Sequence, residues 1–295
     1  LIRYNPSTQA YSLTQGDREY ISLKSKEKNM TSSLHTLSVF WQLLRRDIYV
    51  ALKHINVLGV NFGLIYPFMY AFCFLYVEPR VLFEQTTTLQ NGSITFIGQL
   101  SLVALILSFH ATIPMLFDLI GDRFIDYQCT LINARIVLIE RLAFATLFAF
   151  CFMMPFFPVA KMLFPDAFLI PHASWLSLAW IVLLSALMTS SLNLMATCLM
   201  RGPHQISRLW VRCFEVMLTL GGLLVPWNVI YKTSPILGYI ALLNPLVYVS
   251  EGARQALLTG PAFFPLWICS AVMIGVTILC TTVACNAFKK RMDHI

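Results

Sequence analysis

Apolar and polar positions are arranged along this chain on two length scales. Six stretches, at about 57–77, 93–117, 142–160, 173–198, 209–230 and 266–287, are apolar nearly throughout. Each is long enough to cross a hydrocarbon layer of roughly 30 Å as a helix. The shorter scale occupies 34–56, where Leu37, Trp41, Leu44, Ile48, Leu52 and Ile55 recur every three or four residues. Gln42, Arg45, Arg46, Tyr49 and Lys53 take the other face. That pattern predicts an amphipathic helix lying in the headgroup layer, because the chain offers no soluble core for its apolar face.

Residues 1–33 are rich in Ser, Thr, Lys and Gln without an apolar period, and read as a flexible tail with no cleavable signal peptide. Residues 289–295 form a basic tail at the other end. The segment 231–265 is apolar but interrupted at Asn244-Pro245. Proline disfavours helix at the residue before it and pre-sets the first turn after it. Two short helices dipping into one leaflet are therefore expected there, with protein covering the broken backbone.

Composition agrees. The chain is 58% hydrophobic and only 12% charged, with mean hydropathy +0.70, whereas soluble domains carry about 25% charged residues. A soluble enzyme, a disordered chain and a disulfide scaffold are excluded on that ground. The expected fold is an all-α polytopic membrane protein over 57–288 with six transmembrane helices, preceded by the interfacial helix and carrying re-entrant helices before the last span.

A net charge of +7 would suggest nucleic acid if its placement did not explain it. Of the 21 Lys and Arg, 17 fall in the two tails, the amphipathic helix and the second and fourth loops. The positive-inside rule then puts both tails in the cytoplasm of a plasma-membrane protein, with no nucleic-acid partner and some attraction to membrane lipid headgroups. The eight cysteines lie in spans or on the cytoplasmic side, so free thiols and no metal site are expected.

Few ionisable groups are available inside the spans. His110 reads as a neutral hydrogen-bonded side chain, and Glu215 as a carboxylate reaching back to the interface beside Arg212 or Arg208. Glu251 and Arg254, spaced i, i+3, read as an ordinary surface pair ahead of a substrate contact. No phosphate-cradling loop followed by Lys is present, so uphill transport would take its energy from another chain. Asp118, Asp122, Arg123, Phe124 and Asp126 alternate with apolar residues and suit a segment that seats a hydrophobic knob in a partner. Span one offers Phe62, Tyr66, Tyr70 and Phe74 at four-residue spacing, an aromatic stripe suited to sugar faces but equally to packing or lipid contact.

Several of these pieces, in order, resemble the membrane subunit of an ATP-binding-cassette (ABC) transporter of the type-2 exporter family. They are Phe40-Trp-Gln-Leu-Leu-Arg-Arg-Asp47, then Tyr66-Pro67, the charged segment Phe117 to Asp126, and Leu243-Asn-Pro-Leu-Val-Tyr-Val-Ser-Glu-Gly-Ala-Arg254 with its Asn244, Pro245, Glu251 and Arg254. Cys129-Thr-Leu131 departs from the family's second loop. The resemblance implies a homodimer with two cytoplasmic ABC ATPase subunits, which bind the ATP while this chain holds no cofactor and no catalytic residue. Exported substrates in the family include polysaccharides, lipid-linked glycans, drugs and other amphiphiles. Two rivals remain open: a polytopic membrane enzyme such as a lipid-modifying transferase, and an assembly factor. The transferase would need acidic, His or Arg residues converging at one membrane face, and the sequence shows no such cluster.

Overall fold

The computed structural model describes residues 2–5, 10–13, 36–53, 61, 65–77, 88–120, 125, 129, 133–168, 170, 174–258 and 263–292. Ile2–Asn5 (β1) and Ala10–Leu13 (β2) pair as a small antiparallel hairpin, with Arg3 opposite Ser12. Every other described element is helical. Residues 36–53 form α1. It docks by one flank of its apolar arc, burying Leu44 and Asp47, while Leu37 and Trp41 stay exposed.

Tyr66–Ala71 forms α2, which continues through Phe72–Val77 in the wider π form. Pro67 lies in its first turn, where a missing amide costs nothing. Phe62 lies outside the described residues. Thr88–Gly98 (α3) runs into Leu100–Ile120 (α4) with only a local irregularity at Gln99. Ala134–Met153 (α5) starts on Asn133, whose side chain accepts the Arg135 amide at 3.0 Å, and is extended past Pro155 by Phe156–Leu163 (α6). Trp175–Leu199 is α7.

Helix α8 runs from Ile206–Leu209 through a π segment, Trp210–Phe214, to Glu215–Leu220. It stops at Gly221-Gly222, where Gly222 takes φ 71°, a left-handed backbone that favours glycine. Three short helices follow: Trp227–Thr233 (α9), Pro235–Leu242 (α10) and Pro245–Leu258 (α11). Leu266–Met292 is α12.

Four helical stretches among the described residues are long and apolar enough to cross a membrane: Gly92–Leu119, Ala134–Leu163, Trp175–Leu199 and Leu266–Arg291. The count becomes five if α10 and α11, bent by 96°, are taken as one broken span. Of the other expected spans, the first is represented by the shorter apolar helix Tyr66–Val77. The fifth, expected over 209–230, is broken where α8 ends.

Helix α7 is the centre of the bundle, packed against α12, α4 and α5. Its buried face carries Ser185, Thr189, Ser190, Ser191 and Thr197, small groups that let neighbouring helices approach closely. Ser185 and Thr189 donate to the carbonyls one turn back, at 2.7 and 2.8 Å, so their burial leaves no unmet donor. Asn193 reaches across to α4, donating to Ser108 Oγ at 2.7 Å and to the Leu105 carbonyl at 3.2 Å. A smaller apolar cluster including Met115, Leu138, Leu194 and Phe288 gathers the C-terminal ends of α4, α7 and α12 around the start of α5. Arg135, Arg141, Lys289 and Lys290 lie at this basic end of the bundle.

Candidate functional site

Two side-chain constellations stand out, one at the basic end and one under the broken helices. At the basic end Arg141, on the second turn of α5, is almost fully buried. Its Nη1 donates to Asp47 Oδ2 of α1 at 2.6 Å and its Nη2 to Asp118 Oδ2 of α4 at 2.9 Å. Arg46 Nε donates to the other Asp47 oxygen at 2.8 Å. Glu140 is completely buried beside them, with the Arg141 Nε at 3.9 Å. Neither of its carboxylate oxygens accepts a hydrogen bond among the described residues. One guanidinium therefore ties three elements together, and three carboxylates face two arginines. Charges buried to this degree are costly unless paired and hydrogen-bonded.

Beside this cluster opens a cavity of about 360 Å³. Arg46, Asp47, Asp118 and Arg141 form its polar end, and Val50, Pro114, Phe144 and Phe148 its apolar wall. His110 is exposed on this cavity, its Nδ1 2.9 Å from the Ile106 carbonyl, so that nitrogen carries the proton in the contact. The sequence alone indicated no convergence of acidic, His and Arg side chains; the fold assembles one. In the sequence Arg141 counts only among the basic residues of the second loop, and Glu140 carries no reading. The available signal was the adjacent pair Glu140-Arg141 at the head of an apolar run, where charges are expensive.

The second constellation corrects the reading of Glu251 and Arg254 as a surface pair. Both are buried, Arg254 completely. Arg254 Nη1 donates to Glu251 Oε1 at 3.1 Å, Nε to the Ile94 carbonyl at 3.0 Å, and Nη2 to the Gly222 carbonyl at 2.6 Å. Glu251 Oε1 also accepts the Trp227 amide at 3.0 Å. Asn244 donates to the Met217 carbonyl at 2.5 Å and accepts the Leu246 amide at 3.1 Å, capping α11 just ahead of Pro245. Ser250 Oγ donates to the Gly221 carbonyl at 2.9 Å. The carbonyls around the end of α8 are thus met, one after another, by side chains of α11. Broken backbone inside an apolar bundle is tolerable only when it is satisfied in this way. Gly98 makes the room: a Cβ there would overlap Arg254 Nη2 and the Leu223 carbonyl oxygen. This constellation is architectural, and no substrate is needed to account for it.

The remaining expected residues are placed as follows. Of the segment suited to a partner, Asp118 is the C-terminal anchor of α4 just described, while Asp122, Arg123, Phe124 and Asp126 lie outside the described residues. Tyr66, Tyr70 and Phe74 keep their stripe, with ring centroids 5.9 and 6.3 Å apart, and lean half-buried on the bundle core. Phe68, Phe72 and Tyr76 form the open face of the same helix. Glu215 is exposed on α8 and paired with neither Arg208 nor Arg212. The chain matches no protein-family model, and comparison with curated proteins and with solved structures gives no match.

Proposed function

We propose that the chain is the membrane subunit of an ATP-driven exporter of the ABC type, working as a homodimer with separate cytoplasmic ATPase subunits. The observation that carries this reading is the shared guanidinium of Arg141. Asp118 heads the segment suited to meet an ATPase, and through Arg141 it is joined to Asp47 of α1. A push on that segment would move α1, α4 and α5 as one body, which is what coupling to a partner's ATP cycle requires. In this reading 57–77 and 209–230 complete six crossings, α10 and α11 dip into the outer leaflet, and both termini are cytoplasmic in the plasma membrane. Glu215 supports the dimer. Glu215 is exposed on α8, and a second copy packed on that helix would give it a protein neighbour or a watered path in place of a costly lipid surrounding.

A second reading draws on the convergence of Arg46, Asp47, His110, Asp118 and Arg141 around one cavity, which suits a membrane enzyme acting on lipid. Against it, both carboxylates that line the cavity, Asp47 and Asp118, are held by Arg141, which leaves His110 as the lining side chain suited to proton transfer. One experiment separates the two. The chain is purified alone and again after co-expression with a nucleotide-binding ATPase encoded beside it. The exporter reading expects a stable complex that hydrolyses ATP and no hydrolysis by the chain alone. Turnover of a phospholipid by the chain alone, with no ATPase retained, would replace it with the enzyme.

A further inference from the structure

Two segments far apart in the chain meet at one corner of the basic end. Arg291 Nη1, on the last turn of α12, donates to the Met200 carbonyl at 2.9 Å. Met200 closes the end of α7 and is buried. That bond sets Lys289 and Lys290 of α12 near Arg201 and His204, which occupy the turn leading into α8, and Arg208 follows on the first turn of α8. All five side chains are exposed. None of them has an ion-pair partner among the described residues. Neither 199–214 nor 266–292 contains an Asp or a Glu. The nearest acids in sequence are Glu215, about two turns beyond Arg208 on α8, and Asp293, which lies outside the described residues.

Sidedness asks only that these cations lie on one side of a membrane. It does not ask that segments 91 positions apart deliver them to one corner. Like charges gathered there repel, and an anion seated among them would relieve the repulsion. The neighbouring side chains indicate what carries that anion. Leu199, just before the corner, and Val211, about one turn after Arg208, are 56% and 65% exposed. Ile278 and Leu279 are exposed as well, and they precede Lys289 and Lys290 by about three helical turns, so they share a face of α12 with them. Cations at the end of an open apolar face match a lipid headgroup above its acyl chains. An acidic protein or a free phosphate would take the charges and leave those apolar side chains uncovered. A zwitterionic headgroup would bring a further ammonium to a corner that already holds four cationic groups.

We propose that the corner formed by the end of α7, the start of α8 and the end of α12 binds one anionic phospholipid, its phosphodiester among Arg201, Arg208, Lys289 and Lys290 and an acyl chain along Ile278 and Leu279. The site goes beyond the exporter reading and does not depend on it, since it needs only a membrane around α7, α8 and α12. Arg291 is its positioning residue, because its bond to Met200 holds the two cationic segments together.

The test uses the full chain equilibrated in mixed micelles with equal amounts of phosphatidylglycerol and phosphatidylcholine, followed by native mass spectrometry. One cation near a membrane surface is worth roughly fivefold in affinity for anionic lipid, so phosphatidylglycerol should be retained at least about fivefold over phosphatidylcholine. On the same scale Arg201→Gln combined with Lys290→Gln should lower its retention about tenfold or more. Arg45→Gln combined with Lys53→Gln removes equal charge from exposed positions of α1, and should change retention less than about twofold if the attraction is local and not diffuse. Arg208→Gln combined with Lys289→Gln repeats the measurement should the first corner pair fail to fold. All variants are compared at matched gel-filtration profile and helix content. Soluble glycerol 3-phosphate in large excess, a phosphate without acyl chains, should not displace the lipid. Equal retention of the two lipids, an equal loss from the α1 pair, undiminished retention in either folded corner pair, or displacement by glycerol 3-phosphate would each overturn the proposal.

Discussion

Arg254 shows how much one side chain can depend on its surroundings. It is a cation with no exposure, and it bonds to Glu251 and to carbonyls of two other segments. Removing one partner of a buried ion pair costs about 3–5 kcal/mol because the other charge is stranded. Arg254→Ala should therefore lower the unfolding midpoint in detergent sharply, and the double replacement of Glu251 and Arg254 by leucine should be the milder lesion. Gly98→Ala should be damaging as well, since one of the atoms its methyl would meet is a backbone carbonyl that cannot swing aside. Gly275 on α12 is the internal control. Nothing lies within 4 Å of a Cβ there, and Gly275→Ala should be neutral or stabilise by roughly 0.5–1 kcal/mol through helix propensity. A Gly98→Ala protein as stable as Gly275→Ala would mean that Arg254 is not packed as described.

Helix α1 is tied to the bundle through a buried ion pair. Leu37, Trp41 and Leu52 stay exposed, and among the described residues Leu44 and the pair Asp47–Arg141 are the buried contacts that fasten it to the bundle. A hydrogen bond to a charged group contributes about 1.5–3 kcal/mol. Asp47→Asn should therefore raise amide hydrogen exchange across α1 by roughly tenfold or more if docking limits opening, with 1.4 kcal/mol equal to tenfold. Exchange in α7 should not change. If the exporter reading holds, the same variant should hydrolyse ATP in complex with its ATPase while transporting less. Unaltered exchange in α1 would remove Arg141 from any role in transmitting motion.

For the molecule as a whole, the uneven placement of charge makes a claim about sidedness. Asp166 and Thr233 are exposed near the end of the bundle away from α1, whereas His204 and Lys290 are exposed at or near the basic end. Single cysteines at these four places, in a chain freed of its eight native ones, can be tested in intact cells with an impermeant thiol reagent. Labelling is expected at Asp166 and Thr233 and not at His204 or Lys290. Ser93, which sits near the start of its apolar run, is a poor reporter because the fold buries it. The reverse labelling pattern would invert the topology and place the Arg141 cluster outside, ending the exporter reading.

Hydropathy and helical period are local properties that accumulate along a chain, so four long helices were legible in the order of residues, and so was the flank-bearing amphipathic pattern of α1. One break was legible too: Asn244-Pro245 carries its conformational preference within two residues, whereas the stop at Gly221-Gly222 lies inside a run that hydropathy alone reads as one span. Local spacing could not say whether Glu251 and Arg254 face solvent or core, because i, i+3 neighbours look alike in both places. That was decided by carbonyls brought to Arg254 from 160 and 32 positions away in the chain. Likewise Arg141 meets Asp47 across 94 residues and Asp118 across 23, a convergence that exists only once α1, α4 and α5 pack. The membrane-embedded character of this protein follows from the sum of its side-chain transfer energies, which sequence order leaves unchanged. Its two buried arginine centres follow from which polar atoms the packing leaves together in a low-dielectric interior, where every charge must find its partner.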